Sequence, residues 1–172
     1  MDYISYILSN EEHSFAKEQG ILRRQNSQKQ GRTQRNNFIG CENTKLNNDI
    51  IGAIGELCVA KYLELTDFLF PVLEEVKGSF DLPPNLEVKN THGHNRRLLI
   101  YLNDNPRKIF ISCTYQHPEV RIHGWNFGEN VMRKEFIEDP QGTNRHAYFV
   151  PQKYLLPMDE LKSFVQTLNL KK

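Results

Sequence analysis

The sequence predicts an α/β fold, a single domain in which a central mixed β-sheet is flanked by helices, and three observations predict it. Residues 50–65 are apolar on nearly every side of a helix, which is typical of a buried helix. Between residues 79 and 127, short runs rich in Ile, Leu, Phe, Tyr and Val are typical of strands. An amphipathic helix closes the chain at residues 158–168.

The length and net charge of the chain limit the classes of protein to which it can belong. A chain of 172 residues with 38% hydrophobic and 25% charged residues is long enough for one globular domain, which we assign to residues 1–172. Its 22 Lys and Arg against 21 Asp and Glu leave a net charge of +1, so the whole molecule does not attract a polyanion. Residues 13–45, however, carry seven basic residues against two glutamates, an excess of five. We therefore predict a basic N-terminal arm at about residues 9–45.

The first helix of this arm has a recognisable start. Ser9, followed three residues later by Glu12, forms a capping box before a helix that includes Phe15 and Leu22. The polar segment Gln25–Asn37 then predicts that the helix fades into a basic loop. We predict that the arm contacts phosphates through Arg23, Arg24, Lys29, Arg32 and Arg35. The alternative is a solvated helix face followed by a linker.

The second helix is predicted at residues 48–65, with Glu56 in its middle. None of the residues three or four positions from Glu56 is a cation. A buried carboxylate of this kind needs a partner from another element or an opening to water. Gly52 and Gly55, which are unfavourable inside a helix, indicate that another element packs closely here.

The sheet is predicted from seven apolar runs that follow this helix. Pro83-Pro84-Asn85 predicts a turn that folds the second and third runs into a hairpin. Pro157 precedes the closing helix, Met158–Leu168. The predicted strands are Phe68–Val72, Ser79–Leu82, Leu86–Thr91, Leu98–Leu102, Lys108–Tyr115, Glu119–Phe127 and His146–Val150.

The hairpin carries the residues with the clearest chemistry. Side chains alternate along a strand, so Asp81 in the first strand and Glu87 and Lys89 in the second share a charged face. Two carboxylates across a short turn repel each other unless a cation lies between them. These carboxylates, Glu56 and the main-chain carbonyl of Val88 form an oxygen-rich site suited to Mg2+ or Mn2+. The alternative is an ordinary amphipathic hairpin with a solvated charged face.

Two other Glu-x-Lys triplets occur in the chain, at residues 75–77 and 160–162. The second lies in the closing helix, where side chains two residues apart do not face each other. The first has no Asp across a turn. Only the Glu87 triplet combines a strand, a neighbouring Asp and a helical Glu.

The set Glu56, Asp81, Glu87 and Lys89 resembles the PD-(D/E)XK nuclease superfamily, although Ser79-Phe80 stands where that motif has its proline. The stretch from Gly52 to Pro151 also resembles a group of uncharacterised tailed-phage proteins. The resemblance implies a restriction-endonuclease-like αβββαβ core and a Mg2+-dependent or Mn2+-dependent deoxyribonuclease.

In that reading, Glu56, Asp81, Glu87 and the Val88 carbonyl hold the metal, and Lys89 assists the attacking water. The partner is DNA, with RNA left open. The place of action is the cytoplasm, which is the host cytoplasm if the protein is phage-encoded. The oligomeric state is left open, a homodimer included.

The segment that follows Lys89 contains four further candidates for phosphate contacts. They are His92, His94, Arg96 and Arg97. Gly93, which lies among them, would let the backbone approach a ligand closely. Weaker readings are a zinc site built from His92, His94, His117 and His123, a Cys113 nucleophile, and base stacking by Trp125 and Tyr148.

Cysteine usage and hydropathy exclude other classes. Three cysteines without C-x-x-C spacing argue against a disulfide framework or a zinc ribbon and fit a reducing compartment. The N-terminus does not have the pattern of a signal peptide, and no apolar stretch approaches the roughly 20 residues of a membrane span.

The main alternative function is a catalytically inactive module on the same fold, which binds nucleic acid or a protein. A purely structural role is the third reading, because a fold alone does not establish a function.

Overall fold

A computed structural model describes residues 3–29, 41–69, 81–93 and 97–168. The described helices are α1 (Asn10–Lys29), α2 (Glu42–Leu63), α3 (Gly128–Val131) and α4 (Met158–Thr167). The described strands are β1 (Ile4–Ile7), β2 (Leu86–His92), β3 (Leu98–Tyr101), β4 (Ile109–Gln116), β5 (Glu119–Phe127), β6 (Ile137–Glu138) and β7 (Ala147–Val150).

Four of these strands form the predicted mixed sheet, in the order β1-β5-β4-β2. β1 and β4 are each antiparallel to β5, and β2 runs parallel to β4 at the edge of the sheet. The predicted fold class, α/β with a central mixed sheet flanked by helices, is confirmed. A second, antiparallel sheet with the order β3-β7-β6 was not predicted as a separate layer.

The start of α1 is formed by the predicted capping box. The Ser9 N–H donates to Glu12 Oε2 at 2.8 Å, and the Glu12 N–H donates to Ser9 Oγ at 3.2 Å. The helix then continues to Lys29, further than the polar composition of its second half indicates. Of the segment predicted to become a basic loop, Gln25–Asn37, residues 30–37 lie outside the described residues.

α2 begins at Glu42, six residues before its predicted start, and this expectation was wrong for a physical reason. Glu42 accepts hydrogen bonds from Gln28 of α1 at 2.8 Å and from Lys45 at 3.1 Å, so contacts with α1 support a polar first turn. At the other end, Glu64 adopts a left-handed conformation with φ of 61°, which ends the helix at Leu63.

The strand predictions differ in their outcome. β5 has the predicted bounds, and β4 and β7 begin one residue later than predicted. The prediction of a strand at Phe68–Val72 was wrong at its start, because Thr66–Phe68 forms a 3-10 turn, and residues 70–72 lie outside the described residues. β1 was not predicted, since its four residues form a strand only by pairing with the distant β5.

The described part of the predicted hairpin is its turn. Leu82 and Leu86 form an antiparallel bridge, with the Leu86 N–H donating to the Leu82 carbonyl at 2.8 Å. Residues 79–80 of its first strand lie outside the described residues. Asp81 is therefore held beside the start of β2, on the edge of the mixed sheet that does not face β4.

Two apolar cores lie on the two faces of the mixed sheet. Leu86 and Val88 pack with α2 and α4 in the first core, whereas Phe110 packs with the second sheet in the other. Since Glu87 is the register partner of Phe110, its side chain points away from α2. Among the described residues, no helix is long and apolar enough to span a bilayer.

Gly55 lets α2 approach β2 closely, and this contact makes a testable prediction. A Cβ on Gly55 would lie 2.6 Å from Asn90 Cβ, so Gly55→Ala is expected to destabilise the fold by roughly 1–3 kcal/mol. A Cβ on Gly52 would meet only Arg23 Nη1, at 3.9 Å, so Gly52→Ala should be neutral or stabilise by up to ~1 kcal/mol. Urea unfolding of both variants measures this difference, and equal effects would contradict the close packing at Gly55.

Candidate functional site

Glu56 lies in the buried part of α2, with 4% of its surface exposed. The partner that the sequence left open is Arg23 of α1. Its guanidinium forms a two-pronged ion pair with the carboxylate, in which Nη1 lies 2.6 Å from Oε1 and Nη2 contacts Oε2. Gly52, one helical turn before Glu56, leaves room for the arginine side chain. The buried charge is therefore paired, as burial requires.

Asp81 is near enough to the other two carboxylates of the candidate site for both of their negative charges to act on it. Its Oδ2 accepts a hydrogen bond from the Val88 N–H at 2.7 Å. Burial and the negative charges of Glu56 and Glu87 raise the pKa of Asp81 well above its ordinary value, against the opposing effects of the Val88 N–H and Arg23. Among the described residues, Asp81 forms no ion pair. A cation next to this carboxylate would relieve the repulsion.

Glu87 also has 4% of its surface exposed, and two ammonium groups neutralise it. Lys108 Nζ lies 2.5 Å from Oε2, and Lys89 Nζ lies 3.2 Å from Oε1. Lys108 directly precedes β4, so the parallel pairing of β2 with β4 brings it to Glu87. The charged face of the hairpin is thus buried under the second sheet, and the alternative of a solvated face is wrong.

Lys89 is held in a defined position by two carboxylates and two aromatic rings. Besides Glu87, its ammonium contacts Asp104 Oδ2 at 2.8 Å, in the loop after β3. It also lies 5.3 Å and 5.6 Å from the ring centres of Tyr101 and Phe110. A lysine anchored in this way has few orientations, which is what a positioned catalytic ammonium requires.

The Val88 carbonyl was predicted as a ligand, and the backbone of β2 places it on the side of Asp81. The Val88 N–H points to Asp81 and away from β4. Within a strand, the N–H and C=O of one residue point to the same side. The carbonyl of Val88 therefore faces the free edge as well.

Apart from Arg23, which pairs with Glu56, the residues predicted to contact phosphates have four different outcomes. Arg24 is a correction: it is buried between α1 and α2, near Glu42 and Asp49, and does not present its charge to solvent. Arg97 donates two hydrogen bonds to Glu138, whereas Lys29 and His92 are exposed. Outside the described residues lie Arg32, Arg35, His94 and Arg96.

The weaker readings lose support from the structure. His123 is buried and bonded to Thr114 at 2.7 Å, apart from His117, whose Nδ1 contacts the Tyr115 hydroxyl at 3.0 Å. Burial raises the pKa of the Cys113 thiol well above its ordinary value, the opposite of what a nucleophile needs.

The aromatic candidates are also structural. Trp125 belongs to the first core and donates its indole N–H to the Pro157 carbonyl at 2.9 Å, and Tyr148 packs against the second core. Trp125 is buried and Tyr148 is half-buried, so both rings serve the packing of the cores.

Three residues at the site were missed or misplaced by sequence reasoning. Lys108 and Asp104 were not singled out, and Arg23 was assigned to the arm alone. The hydrogen bonds to Glu87 and Glu56 link residues 21 and 33 positions apart, so local periodicity carries no signal for them. A lysine immediately before a continuous apolar strand was the one available hint for Lys108.

Comparison of the chain with known proteins identifies no relative. No protein-family model matches the chain, and neither the curated proteins nor the solved structures contain a significant match.

Proposed function

We propose that the protein is a metal-dependent nuclease that hydrolyses phosphodiester bonds of DNA. The observation that carries the proposal is the position of Asp81. It lies close to the carboxylates of Glu56 and Glu87, on the edge that the Val88 carbonyl faces, and Lys89 stands beside Glu87. Buried acidic groups that repel each other next to a fixed ammonium are typical of catalytic sites.

The donor set has the chemistry that Mg2+ or Mn2+ prefers, because it consists of carboxylate and carbonyl oxygens. Within the described residues, no three acidic, His or Cys side chains are already arranged around an ion. Glu56 and Glu87 instead face Arg23, Lys89 and Lys108. Asp81 would thus be the first ligand, with Glu56, Glu87 and the Val88 carbonyl completing the site. When bound, the metal would polarise the phosphoryl oxygen and lower the pKa of a water.

The side chains of the protein have separate roles in this proposal. Lys89, anchored by Glu87 and Asp104, would orient the attacking water or neutralise charge that develops on the phosphorus oxygens. Lys108 holds the carboxylate of Glu87 in place. The exposed Lys29 at the end of α1 and His92 at the end of β2 would contact the DNA backbone.

The proposal predicts metal-dependent cleavage that requires Lys89. Linear, nicked, branched and single-stranded DNA would be incubated with the purified protein and Mg2+ or Mn2+, and cleavage would be measured on gels. Replacement of Lys89 by glutamine should reduce the rate by roughly 100-fold or more. Lys134→Gln, which changes an exposed lysine, is the matched control and should leave the rate unchanged. Equal activity in the Lys89 variant would point to a contaminating enzyme or another site.

A binding module without catalysis is the second candidate, and one observation favours it. The ion pairs of Glu56 and Glu87 already neutralise both carboxylates with side chains of the protein. This candidate predicts DNA binding that weakens steeply with salt and does not depend on metal. Binding without cleavage on any of the four substrates, equal with and without metal, would favour it over the nuclease.

A further inference from the structure

Arg23 occupies the position from which a cation would neutralise Glu56. Both terminal nitrogens of its guanidinium face the two oxygens of the Glu56 carboxylate. Its positive charge also acts on Asp81. Within the described residues, Glu56 forms an ion pair with Arg23 and with no other cation, whereas Glu87 has two lysines of its own. One side of the candidate site therefore depends on a single guanidinium for its charge balance.

The side chain of Arg23 also reaches solvent. It is 28% exposed, whereas that of Glu56 is 6% exposed, so the arginine lies on the outer side of the pair. Gly52 presents no side chain to the guanidinium, since a Cβ built there would lie 3.9 Å from Arg23 Nη1. Arg23 is thus both the counter-ion of a buried carboxylate and a cation that is partly exposed to solvent.

We propose that Arg23 competes with the divalent cation for Glu56, and that Arg23, once displaced, binds a phosphate oxygen of the DNA. This inference rests on the proposed nuclease function. A guanidinium presents the same fork of N–H donors to a carboxylate and to a phosphate, so a single side chain can serve both partners in turn. Metal binding and substrate binding are then coupled through one residue.

The competition predicts that removal of Arg23 strengthens metal binding. Isothermal titration with Mn2+ alone would compare the unmodified protein with Arg23→Gln. The Kd for Mn2+ should fall about tenfold in the variant, which corresponds to ~1.4 kcal/mol. Arg121→Gln removes the same charge from an ion pair with Glu119 on β5 and should leave the Kd unchanged. A Kd that is unchanged or higher in Arg23→Gln would overturn the competition.

A conservative variant keeps the test valid if Arg23→Gln does not fold, which circular dichroism would show. Arg23→Lys keeps the charge but loses the two-pronged contact, and it should lower the Kd about threefold, ~0.65 kcal/mol. A Kd equal to that of the unmodified protein would overturn the competition here too.

The second half of the proposal is tested by DNA binding without cleavage. Fluorescence anisotropy with a short duplex, with and without Ca2+ in place of Mg2+, would measure how much the metal strengthens DNA binding. The gain should be several-fold larger for the unmodified protein than for Arg23→Gln, because the variant has no guanidinium to release. An equal gain in both proteins would overturn the phosphate contact.

The outcomes separate this inference from the proposed function. Tighter Mn2+ binding in Arg23→Gln without any DNA cleavage by the unmodified protein would support the competition and reject the nuclease. Cleavage that requires Lys89, with Mn2+ binding indifferent to Arg23, would support the nuclease and reject the competition. Absence of Mn2+ binding in both proteins would reject the two together.

Discussion

Replacement of Asp81 by asparagine is expected to abolish DNA cleavage and, at the same time, to make the fold more stable. Cleavage should fall by roughly 1000-fold or more, ~4 kcal/mol, because the proposed first ligand of the metal is lost. The amide oxygen of asparagine still accepts the hydrogen bond from the Val88 N–H. The repulsion from Glu56 and Glu87 disappears, so the free energy of unfolding at neutral pH should rise by roughly 1–2 kcal/mol.

The gain in stability should depend on pH in a defined direction. Because the pKa of Asp81 is raised in the folded protein, its protonated form favours folding below the pKa of the unfolded chain. That contribution is lost as the pH rises through the folded-state pKa. The variant should therefore match the unmodified protein in acid and exceed it increasingly at higher pH.

Urea unfolding at a series of pH values, together with the cleavage assay, measures both effects of Asp81→Asn. Asp139→Asn is a suitable control for stability, since the pKa of the half-buried Asp139 is lowered, against the effect of burial, by backbone N–H groups. Loss of this charge should therefore be destabilising. A variant at position 81 that loses stability at neutral pH would contradict the repulsion of Asp81 by Glu56 and Glu87.

Replacement of Lys108 by methionine is expected to cause the largest loss of stability at the site. The ammonium is buried, and its removal leaves Glu87 with one cation where it had two. Breaking a buried ion pair in this way should lower the free energy of unfolding by about 3 kcal/mol. Lys134→Met, on the surface, should have an effect within ~0.5 kcal/mol in the same urea measurement.

A double-mutant cycle distinguishes the ion pair from a general loss of packing. Glu87→Leu alone leaves Lys108 buried without its partner, whereas Lys89 keeps Asp104. The double variant Glu87→Leu/Lys108→Met removes both charges and should be more stable than the sum of the single effects by at least ~1 kcal/mol. Additive effects would show that the two charges are not coupled.

Local patterns in the sequence predicted much of the fold. The Ser9 capping box, the bounds of β5 and the turn before β2 follow from residues that are neighbours in the chain, so they were readable. The start of α2 was missed because its first turn is supported by Gln28, a residue of another helix. β1 was missed for the same reason, since a four-residue strand exists only through its pairing with β5.

The residues of the candidate site also divide into those that the sequence predicts and those that only the structure reveals. Glu56, Asp81, Glu87 and Lys89 could be named from the sequence, because an acidic residue in an apolar helix and an alternating strand after a turn are local patterns. What neutralises these carboxylates could not be named. Arg23 reaches Glu56 only through the packing of α1 on α2, and Lys108 reaches Glu87 only through the register of β4 with β2.

By itself, then, the amino-acid order determined the three longer helices apart from the start of α2, most strands and the acidic residues of this protein. Hydrophobic periodicity and turn chemistry act over a few neighbouring residues. The tertiary structure alone decided which cations face those acids, that Arg24 is buried, and that Glu87 lies on the same face of the sheet as Phe110. Those facts depend on contacts between distant segments. The energy of a buried charge is set by such contacts, because water is absent there and only neighbouring side chains can compensate it.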